Sequence, residues 1–443
     1  MNQRFVFRSA ACTATSDMSG MNNIDDMKRR SFLKGTAALA MGFSFTGRAI
    51  AADVKCRAAG CSTGRLIASA PVLQNAAETT MGVGFAVSAD ASGWVEISNS
   101  PDMVGAKRVY SGGLGMMEVN GKVALVRVRG LKPATRYWYR VGADRISYES
   151  GYKMKNLGSE VDEKVHSFTT LGASAETASF CVINDTHEKK PAIDAIFSKL
   201  AELKPGVVVW NGDASNCSET IDAAIRVFMH PHEAHPDYAA DTPFMFVNGN
   251  HDVRGRFNRH RENVMMFRAA SERDSRFAEL GRNFVQRLGP VALIGMDTGE
   301  DKSDRHPVFA GIFQMERYRS LQTQWLAEVL ESPSVKSARF KILFCHIPLI
   351  GPVWWEAQAA KEWVPLIEKA GVQLVCAGHH HRFRHDAPTP GRPWTELIGG
   401  GYGVSPRAGD FPTVIEGRVA GGRLVVTVHD VISDRIVFKK DFV

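Results

Sequence analysis

Five short segments of this 443-residue chain combine residue types that bind metal ions. The segments are Asn184-Asp185-Thr186-His187, Gly212-Asp213-Ala214-Ser215-Asn216, Gly249-Asn250-His251-Asp252, Cys345-His346 and Gly378-His379-His380-His381. Carboxylates, amide oxygens and imidazoles together suit cations such as Mn, Fe and Zn. Each segment alone is weak evidence of a metal site, and their joint occurrence in this order is what indicates one. The residues therefore predict a centre for two metal ions, with seven candidate ligands: Asp185, His187, Asp213, Asn250, His346, His379 and His381.

Each segment directly follows an apolar run of the kind that forms a buried strand. These runs cover residues 179–183, 207–210, 244–247, 340–344 and 372–377. Helical patterns lie between several strand candidates, at 191–203, 315–330 and 361–369. Alternating strands and helices predict an α/β layered domain, in which ligands bind at the carboxyl ends of strands. We expect Gly212, Gly249 and Gly378 to let the backbone turn sharply enough to aim the side chains inward.

The ordered segments resemble the calcineurin-like metallophosphoesterase superfamily. Its pattern runs Asp-x-His, Gly-Asp-x-x-(Asp/Asn), Gly-Asn-His-(Asp/Glu), a lone His and Gly-His-x-His, and here it covers the core of residues 178–385. The resemblance implies two ions, divalent or of mixed valence (Fe, Mn or Zn), that share Asp213. It implies that the first ion is held by Asp185, His187, Asp213 and His381, and the second by Asp213, Asn250, His346 and His379.

The resemblance also implies the reaction. A hydroxide that bridges the two metals would attack the phosphorus of a phosphate mono- or diester. His251 would be the catalytic residue that faces the leaving group, as a general acid or as a charge stabiliser. From the residues themselves, Asp252 could orient the His251 ring or could cap a helix, and Asn216 could contact substrate or only shape its loop.

The first part of the chain has a different pattern. Predicted strands at 79–87, 93–98, 122–128, 135–141 and 164–170 are separated by turn residues and predict a small β-sandwich. The stretch Leu131-Lys132-Pro133-Ala134-Thr135-Arg136-Tyr137 resembles the Leu-x-Pro-x-Thr-x-Tyr corner of fibronectin type III modules. We therefore expect an all-β fibronectin III-like sandwich at residues 52–172. A four-layer α/β metallophosphoesterase domain would follow at 173–443.

This domain order resembles that of purple acid phosphatases, with one departure. The purple enzymes carry a Tyr three residues after the Gly-Asp aspartate, and here that position is Asn216. The resemblance therefore implies a centre without a phenolate ligand and without the ferric charge-transfer colour.

The first 51 residues are typical of an export signal. Arg29-Arg30-Ser31-Phe32-Leu33-Lys34 precedes an apolar stretch and the small-residue site Ala49-Ile50-Ala51. The arginine pair resembles the bacterial twin-arginine signal, whose export machinery would then be a partner. We expect residues 1–51 to be a signal peptide and the mature protein to be periplasmic or secreted.

Composition is that of a soluble globular protein, with 44% hydrophobic and 23% charged residues. The formal net charge is +7, and residues 1–51 carry seven Lys or Arg and three Asp, so much of the positive charge lies in the signal. We therefore expect no nucleic-acid partner, and no apolar run after residue 52 predicts stable membrane insertion. Cys181, Cys345 and Cys376 are predicted to be buried thiols, and a Cys56–Cys61 disulfide is left open.

Two alternatives to a general phosphoesterase remain. Trp354 and Trp355 follow His346 and could stack on a base or shield an apolar group, which would favour a nucleotide or lipid-headgroup phosphodiesterase. Four arginines at 254, 256, 259 and 261 could bind an anionic leaving group, although a solvated helix face is the simpler interpretation. The second alternative is a non-catalytic binding protein on the same scaffold, which the complete ligand set argues against.

Overall fold

The structure is a computed structural model that describes residues 64–267, 274–351, 354–403 and 407–443, with only the backbone given for 354–357. The signal-peptide prediction and the question of a Cys56–Cys61 disulfide lie outside these residues. Within them, Cys181, Cys345 and Cys376 are buried free thiols, as predicted. None of the helices described has the length and hydropathy needed to cross a membrane.

Strands and helices follow one another along the described chain. The strands are β1 (Val72–Gln74), β2 (Thr80–Ala86), β3 (Ala91–Ser98), β4 (Lys107–Tyr110), β5 (Gly112–Gly113), β6 (Met116–Met117), β7 (Val123–Arg129), β8 (Arg136–Ser150), β9 (Lys153–Val161), β10 (His166–Thr169), β11 (Ala178–Ile183), β12 (Val207–Asn211), β13 (Phe244–Val247), β14 (Phe284–Leu288), β15 (Val291–Met296), β16 (Phe340–Cys345), β17 (Leu374–Ala377), β18 (Arg384–Asp386), β19 (Thr395–Ile398), β20 (Thr413–Ala420), β21 (Arg423–Asp430) and β22 (Arg435–Phe442). The α-helices are α1 (Lys190–Leu203), α2 (Ile221–Phe228), α3 (Met315–Glu331), α4 (Pro333–Lys336), α5 (Trp354–Glu362) and α6 (Val364–Ala370).

The N-terminal strands form two facing layers. One layer is β1-β2-β7, and the other has the order β10-β8-β3-β4 with β9 paired to β8. Apolar residues such as Phe85, Val95 and Tyr139 are buried between them in one cluster. At the predicted corner, the Tyr137 hydroxyl accepts a hydrogen bond from the Lys132 amide at 2.9 Å. This contact has the form of a tyrosine corner, in which a hydroxyl ties a strand to the backbone just upstream.

Two layers of strands pack face to face in the second part of the chain. The first has the order β22-β21-β20-β11-β12-β13 and the second β14-β15-β16-β17-β19-β18. Side chains on β12 alternate: Val207 and Val209 face the core between the sheets, whereas Val208 and Trp210 face a second cluster with α1. Because successive side chains point to opposite faces, such continuous apolar runs indicate sheets that are covered on both sides.

Helices cover the outer face of each sheet. Ile196 and Phe197 of α1 pack against the first sheet, and Trp325 of α3 and Ile367 of α6 pack against the second. The predicted four-layer α/β fold is thereby confirmed. The helix predicted at 361–369 is wrong in detail: α5 ends at Glu362, and α6 begins with Pro365 in its first turn. Proline has no amide hydrogen to continue a helix that is already under way, so the chain starts a new one.

The sandwich and the layered part share one sheet. Strand β1 pairs in parallel with β13, so that β1, β2 and β7 extend the first sheet to nine strands. The Leu73 amide donates to the Ala239 carbonyl at 2.9 Å. The Tyr139 hydroxyl, fully buried, donates to the Ala240 carbonyl at 2.6 Å. These bonds cross the proposed boundary near residue 172, which itself stays a prediction.

We predict that Tyr139→Phe destabilises the protein by about 1–3 kcal/mol, because the change leaves the buried Ala240 carbonyl without its donor. The measurement is the free energy of unfolding in urea. Tyr152→Phe is the matched control, since Tyr152 is fully exposed. Equal stability of the two variants would contradict a structural role for this hydrogen bond.

Candidate metal centre

The predicted ligand segments lie where five strands end. Strands β11, β12 and β13 of the first sheet end at Ile183, Asn211 and Val247, and Asp185, Asp213 and Asn250 follow within three residues. In the second sheet β16 ends at Cys345 and β17 at Ala377, just before His346 and His379. Both sets of strands are parallel, so their carboxyl ends lie at the same edge. The packing of the two sheets brings these edges together.

Four of the predicted ligands form one cluster, namely Asp185, His187, Asp213 and His381, with ligand atoms within 4.8 Å of one another. His187 Nε2 lies 3.4 Å from Asp213 Oδ2 and 3.7 Å from Asp185 Oδ1. His381 Nε2 lies 3.4 Å from Asp185 Oδ1 and 3.2 Å from His187 Nε2. All of these nitrogens and oxygens therefore point at one common space.

A second cluster shares Asp213 and adds His346 and His379. His346 Nε2 lies 3.2 Å from Asp213 Oδ2. His379 Nδ1 lies 2.9 Å from Asn250 Oδ1, which places the seventh predicted residue beside this group. The structure thus brings all seven residues together, in two sets that meet at one carboxylate.

The polar atoms at the middle of the two clusters fit cations. Within the described part of the chain, Asp185 Oδ1, Asp213 Oδ2 and His346 Nε2 are buried without a hydrogen-bond partner. The other ring nitrogen of His346 lies 2.9 Å from the Asn211 carbonyl, to which it must donate. In a neutral ring, Nε2 then directs a lone pair at a carboxylate oxygen. Either a proton on Nε2 or a metal ion between these atoms makes such an arrangement favourable.

The pKa values show how strongly the buried carboxylates and imidazoles of the two clusters affect one another. Burial would lower the pKa of His346, but the carboxylates of Asp213 and Asp185 raise it to about 10. Burial would raise the pKa of Asp185, yet His346, His187 and His381 hold that pKa well below its ordinary value. Burial lowers the pKa of His379 to about 4, which keeps this imidazole neutral as metal ligation requires.

Backbone conformation at the site is unusual. Asp185, His187, Asp213, His379 and His381 all have positive φ, between 44° and 70°. Non-glycine residues rarely adopt the left-handed region, and such strain concentrates at functional sites. Each of the five turns away from its strand so that its side chain reaches the common space.

The three glycines of the ligand segments allow this arrangement in two different ways, of which the sequence revealed only one. Gly212 has a φ of 89°, as the prediction of a sharp turn requires. Gly249 and Gly378 do not have positive φ, so the turn prediction is wrong for them. A Cβ on Gly249 would lie 2.1 Å from Asp213 Oδ1, and one on Gly378 would lie 2.6 Å from Asp185 Oδ2. These two positions are glycine because the carboxylates lie against the backbone.

Neighbouring groups fix the orientation of the predicted ligands. Asp185 Oδ2 accepts from Asn184 Nδ2 at 2.6 Å and from the His379 amide at 2.9 Å, which leaves Oδ1 free. His187 Nδ1 lies 3.0 Å from Asn216 Oδ1. Asn216 therefore holds the ring of His187 with its Nε2 toward the cluster. Partners of this kind set the tautomer and basicity of a metal-binding histidine.

His251 is held from both sides of its ring. Nδ1 lies 3.0 Å from the Asn216 carbonyl, and Nε2 lies 3.2 Å from Arg254 Nη1. Its ring packs edge-on to that of His187, with centroids 4.9 Å apart. The interpretation that Asp252 orients His251 is wrong. Asp252 Oδ2 instead accepts from the Gly249 amide at 2.9 Å and so closes the turn that carries Asn250.

Arg254 belongs to a network that the sequence did not reveal. It donates from Nε to Glu300 at 2.8 Å and from Nη2 to Asp301 at 3.0 Å, and Glu300 is fully buried. Strand β15 ends at Met296, at the same sheet edge. The position of Glu300 and Asp301 shortly after this strand end was the sequence signal that could have placed them near the centre. The expectation of a solvated helix face is also wrong for Arg261, which is fully buried and ion-paired to Asp252.

Comparisons with known proteins agree with this architecture. Residues 178–383 match the family model described as calcineurin-like phosphoesterase. The fold is similar to that of purple acid phosphatase PPD1 from yellow lupin (Lupinus luteus) seeds, with a TM-score of 0.61 and 13% identity over 85% of this chain and 75% of that one. It is also similar to PhoD, with a TM-score of 0.53 and 13% identity over 83% of this chain and 91% of that one.

No curated protein sequence matches the chain. At 13% identity the two structures show the fold alone. The family match confirms the prediction of a metal-dependent phosphoric ester hydrolase, and the two structures confirm the α/β fold.

We predict that Gly249→Ala lowers the metal content of the protein, because the new methyl group would displace the Asp213 carboxylate from the space that both clusters share. The measurement is elemental analysis after dialysis against buffered Mn²⁺ or Zn²⁺. Gly113→Ala is the control, since a Cβ there meets no atom within 4 Å. Unchanged metal binding by Gly249→Ala would show that Asp213 is not a ligand.

Proposed function

We propose that this chain hydrolyses phosphate mono- or diesters at a dinuclear metal centre, and that it does so after export. The observation that carries the proposal is the pair of Asp and His clusters that meet at Asp213. Asp185, His187, Asp213 and His381 would hold one ion, and Asp213, Asn250, His346 and His379 the other. When bound, two such ions activate water as a nucleophile and neutralise charge on the phosphate oxygens.

The chain's own groups have separate tasks in this reaction. Asp213 keeps the two cation sites adjacent, because its Oδ2 faces both clusters while Oδ1 accepts from the His251 amide at 2.9 Å. His251 faces the leaving group in our proposal. Its Nδ1 donates to the Asn216 carbonyl and its Nε2 accepts from Arg254, so the donor already in place beside the leaving oxygen is the Arg254 guanidinium, and His251 donates only when Nε2 also carries a proton.

Asn216 supports a centre of the calcineurin-like type over the purple acid type. Its side chain contacts His187 Nδ1 and the His187 carbonyl, so it orients a nitrogen ligand. The purple enzymes carry a tyrosine at this position, and here the side chain is an amide that contacts His187.

Export rests on the arginine pair, the apolar stretch and the small-residue site within residues 1–51. The fibronectin III-like assignment is supported by the two-layer sandwich and by the hydrogen bond at Tyr137. The binding-protein alternative is disfavoured because all seven candidate ligands lie at one site, with buried atoms that lack partners.

The test of the proposed function is hydrolysis of para-nitrophenyl mono- and diesters by protein lacking the signal, loaded with Mn²⁺, Fe or Zn²⁺. We expect measurable turnover with at least one ester, and a fall in kcat by about two orders of magnitude or more for Asp213→Asn, because a carboxylate shared by both ions is lost. The control is Asp222→Asn, a half-exposed carboxylate that pairs with Lys122. Absence of turnover under every metal would rule the proposal out.

A second prediction concerns colour. We expect iron-loaded protein to show no intense visible charge-transfer band, because no tyrosine occupies the position of Asn216. The measurement is the absorption spectrum of aerobically loaded protein. A strong purple band would place a phenolate on the metal and contradict the ligand set.

A further inference from the structure

A pocket of about 430 Å³ adjoins the candidate centre at Arg254. The side chain of Arg254 lines this pocket, and its Nη1 is also the group that lies 3.2 Å from His251 Nε2. The pocket therefore begins one side chain away from His251, the residue proposed to face the leaving group. Arg254 itself is fixed by Glu300 and Asp301, so this wall of the pocket is rigid.

Another part of the pocket lining is apolar and open to solvent. Val308 and Ile312 line the pocket although 66% and 65% of their surface is exposed. Phe309, which is buried, and Phe313, which is half-buried, also line the pocket, with ring centroids 4.5 Å apart. Single exposed apolar residues are common, but several on one concave wall beside a reactive centre are typical of a binding pocket.

Positive charge lines the same pocket. Arg259 and Lys302 contribute to it together with Arg254. Lys302 contacts Asp301 at 2.6 Å, which balances its charge. Arg259 donates only to the Gly255 carbonyl at 3.4 Å and lies over the Phe313 ring; within the described residues it pairs with no carboxylate. The pocket thus offers one cation that is not neutralised, next to apolar surface.

We propose that this pocket binds the leaving group of the substrate, and that the substrate is a phosphate ester whose leaving group joins an apolar body to a second negative group. The apolar body would lie against Val308 and Ile312, and the negative group would approach Arg259. This inference rests on the proposed function, since a leaving group exists only if the centre cleaves an ester. It narrows the substrate class from phosphate esters in general to amphiphilic anionic ones.

Binding can be tested without activity, using anilinonaphthalene sulfonate, a fluorescent probe with an apolar aromatic body and one negative charge. We expect Kd to rise about tenfold in the double variant Val308→Ser/Ile312→Ser, because apolar contact area is lost. We also expect Arg259→Gln to weaken binding severalfold. All three side chains are exposed, so the variants should fold. The matched control Val104→Ser changes a valine that is 71% exposed in the sandwich and should leave Kd unchanged. Equal Kd for wild type and the double variant would overturn the proposal.

Substrate preference gives the second test. Phenyl, para-butylphenyl and para-(carboxyethyl)phenyl phosphate have leaving groups of similar basicity but different apolar and anionic parts. We expect kcat/KM for the butyl ester to exceed that for the phenyl ester by about tenfold, and this ratio to fall toward one in the double variant but not in Val104→Ser. Arg259→Gln should lower kcat/KM for the carboxyethyl ester relative to that for the phenyl ester.

The outcomes separate the two proposals. If all three esters are cleaved at the same kcat/KM by wild type and double variant, the pocket does not bind the leaving group, and the proposed function stands. If the metal-loaded protein cleaves no ester at all, both proposals fail.

Discussion

The fold has to keep two carboxylates, Asp185 and Asp213, ionised in its interior. Both are fully buried, and each has one oxygen without a hydrogen-bond partner. An unpaired buried charge costs several kcal/mol, so the sequence must supply compensating groups. The imidazoles around them, the amide of His379 on Asp185 and the amide of His251 on Asp213 supply part of this compensation. Two cations would supply the rest, and this requirement explains why strained backbone and close-packed glycines are tolerated at one edge of the sheets.

The layered architecture brings the compensating groups to the two carboxylates. Strands β11 to β13 and strands β16 and β17 belong to different sheets, yet their carboxyl ends face the same space. Residues that are far apart in the chain thus approach to within hydrogen-bond distance without long loops. The continuous nine-stranded sheet also joins the sandwich to β13, the strand that carries Asn250. The sandwich is therefore part of the support of the centre, through bonds such as that from Tyr139 to Ala240.

The sequence predicted the strands and the seven residues that meet at the centre, because apolar runs mark strands and ligand types follow them directly. It could not predict contacts that depend on how loops from different sheets pack. The network of Arg254 with Glu300 and Asp301 is one such case, because 46 and 47 positions separate the partners. Asp252 is another case. It follows His251 directly in the sequence, which suggested that the two side chains are paired, but the turn directs its carboxylate to the Gly249 amide. The role of Gly249 likewise depends on a carboxylate that lies 36 residues earlier in the chain.

The central claim is that Asp213 lies between two bound cations. The most direct measurement is a crystal structure of the Mn²⁺- or Zn²⁺-loaded protein with an anomalous difference map recorded at the absorption edge of the metal. The account predicts two peaks, about 3.5–4 Å apart, both in contact with the Asp213 carboxylate. One peak would lie among Asp185, His187 and His381, and the other among Asn250, His346 and His379. A single peak, or a second peak that does not contact Asp213, would contradict it.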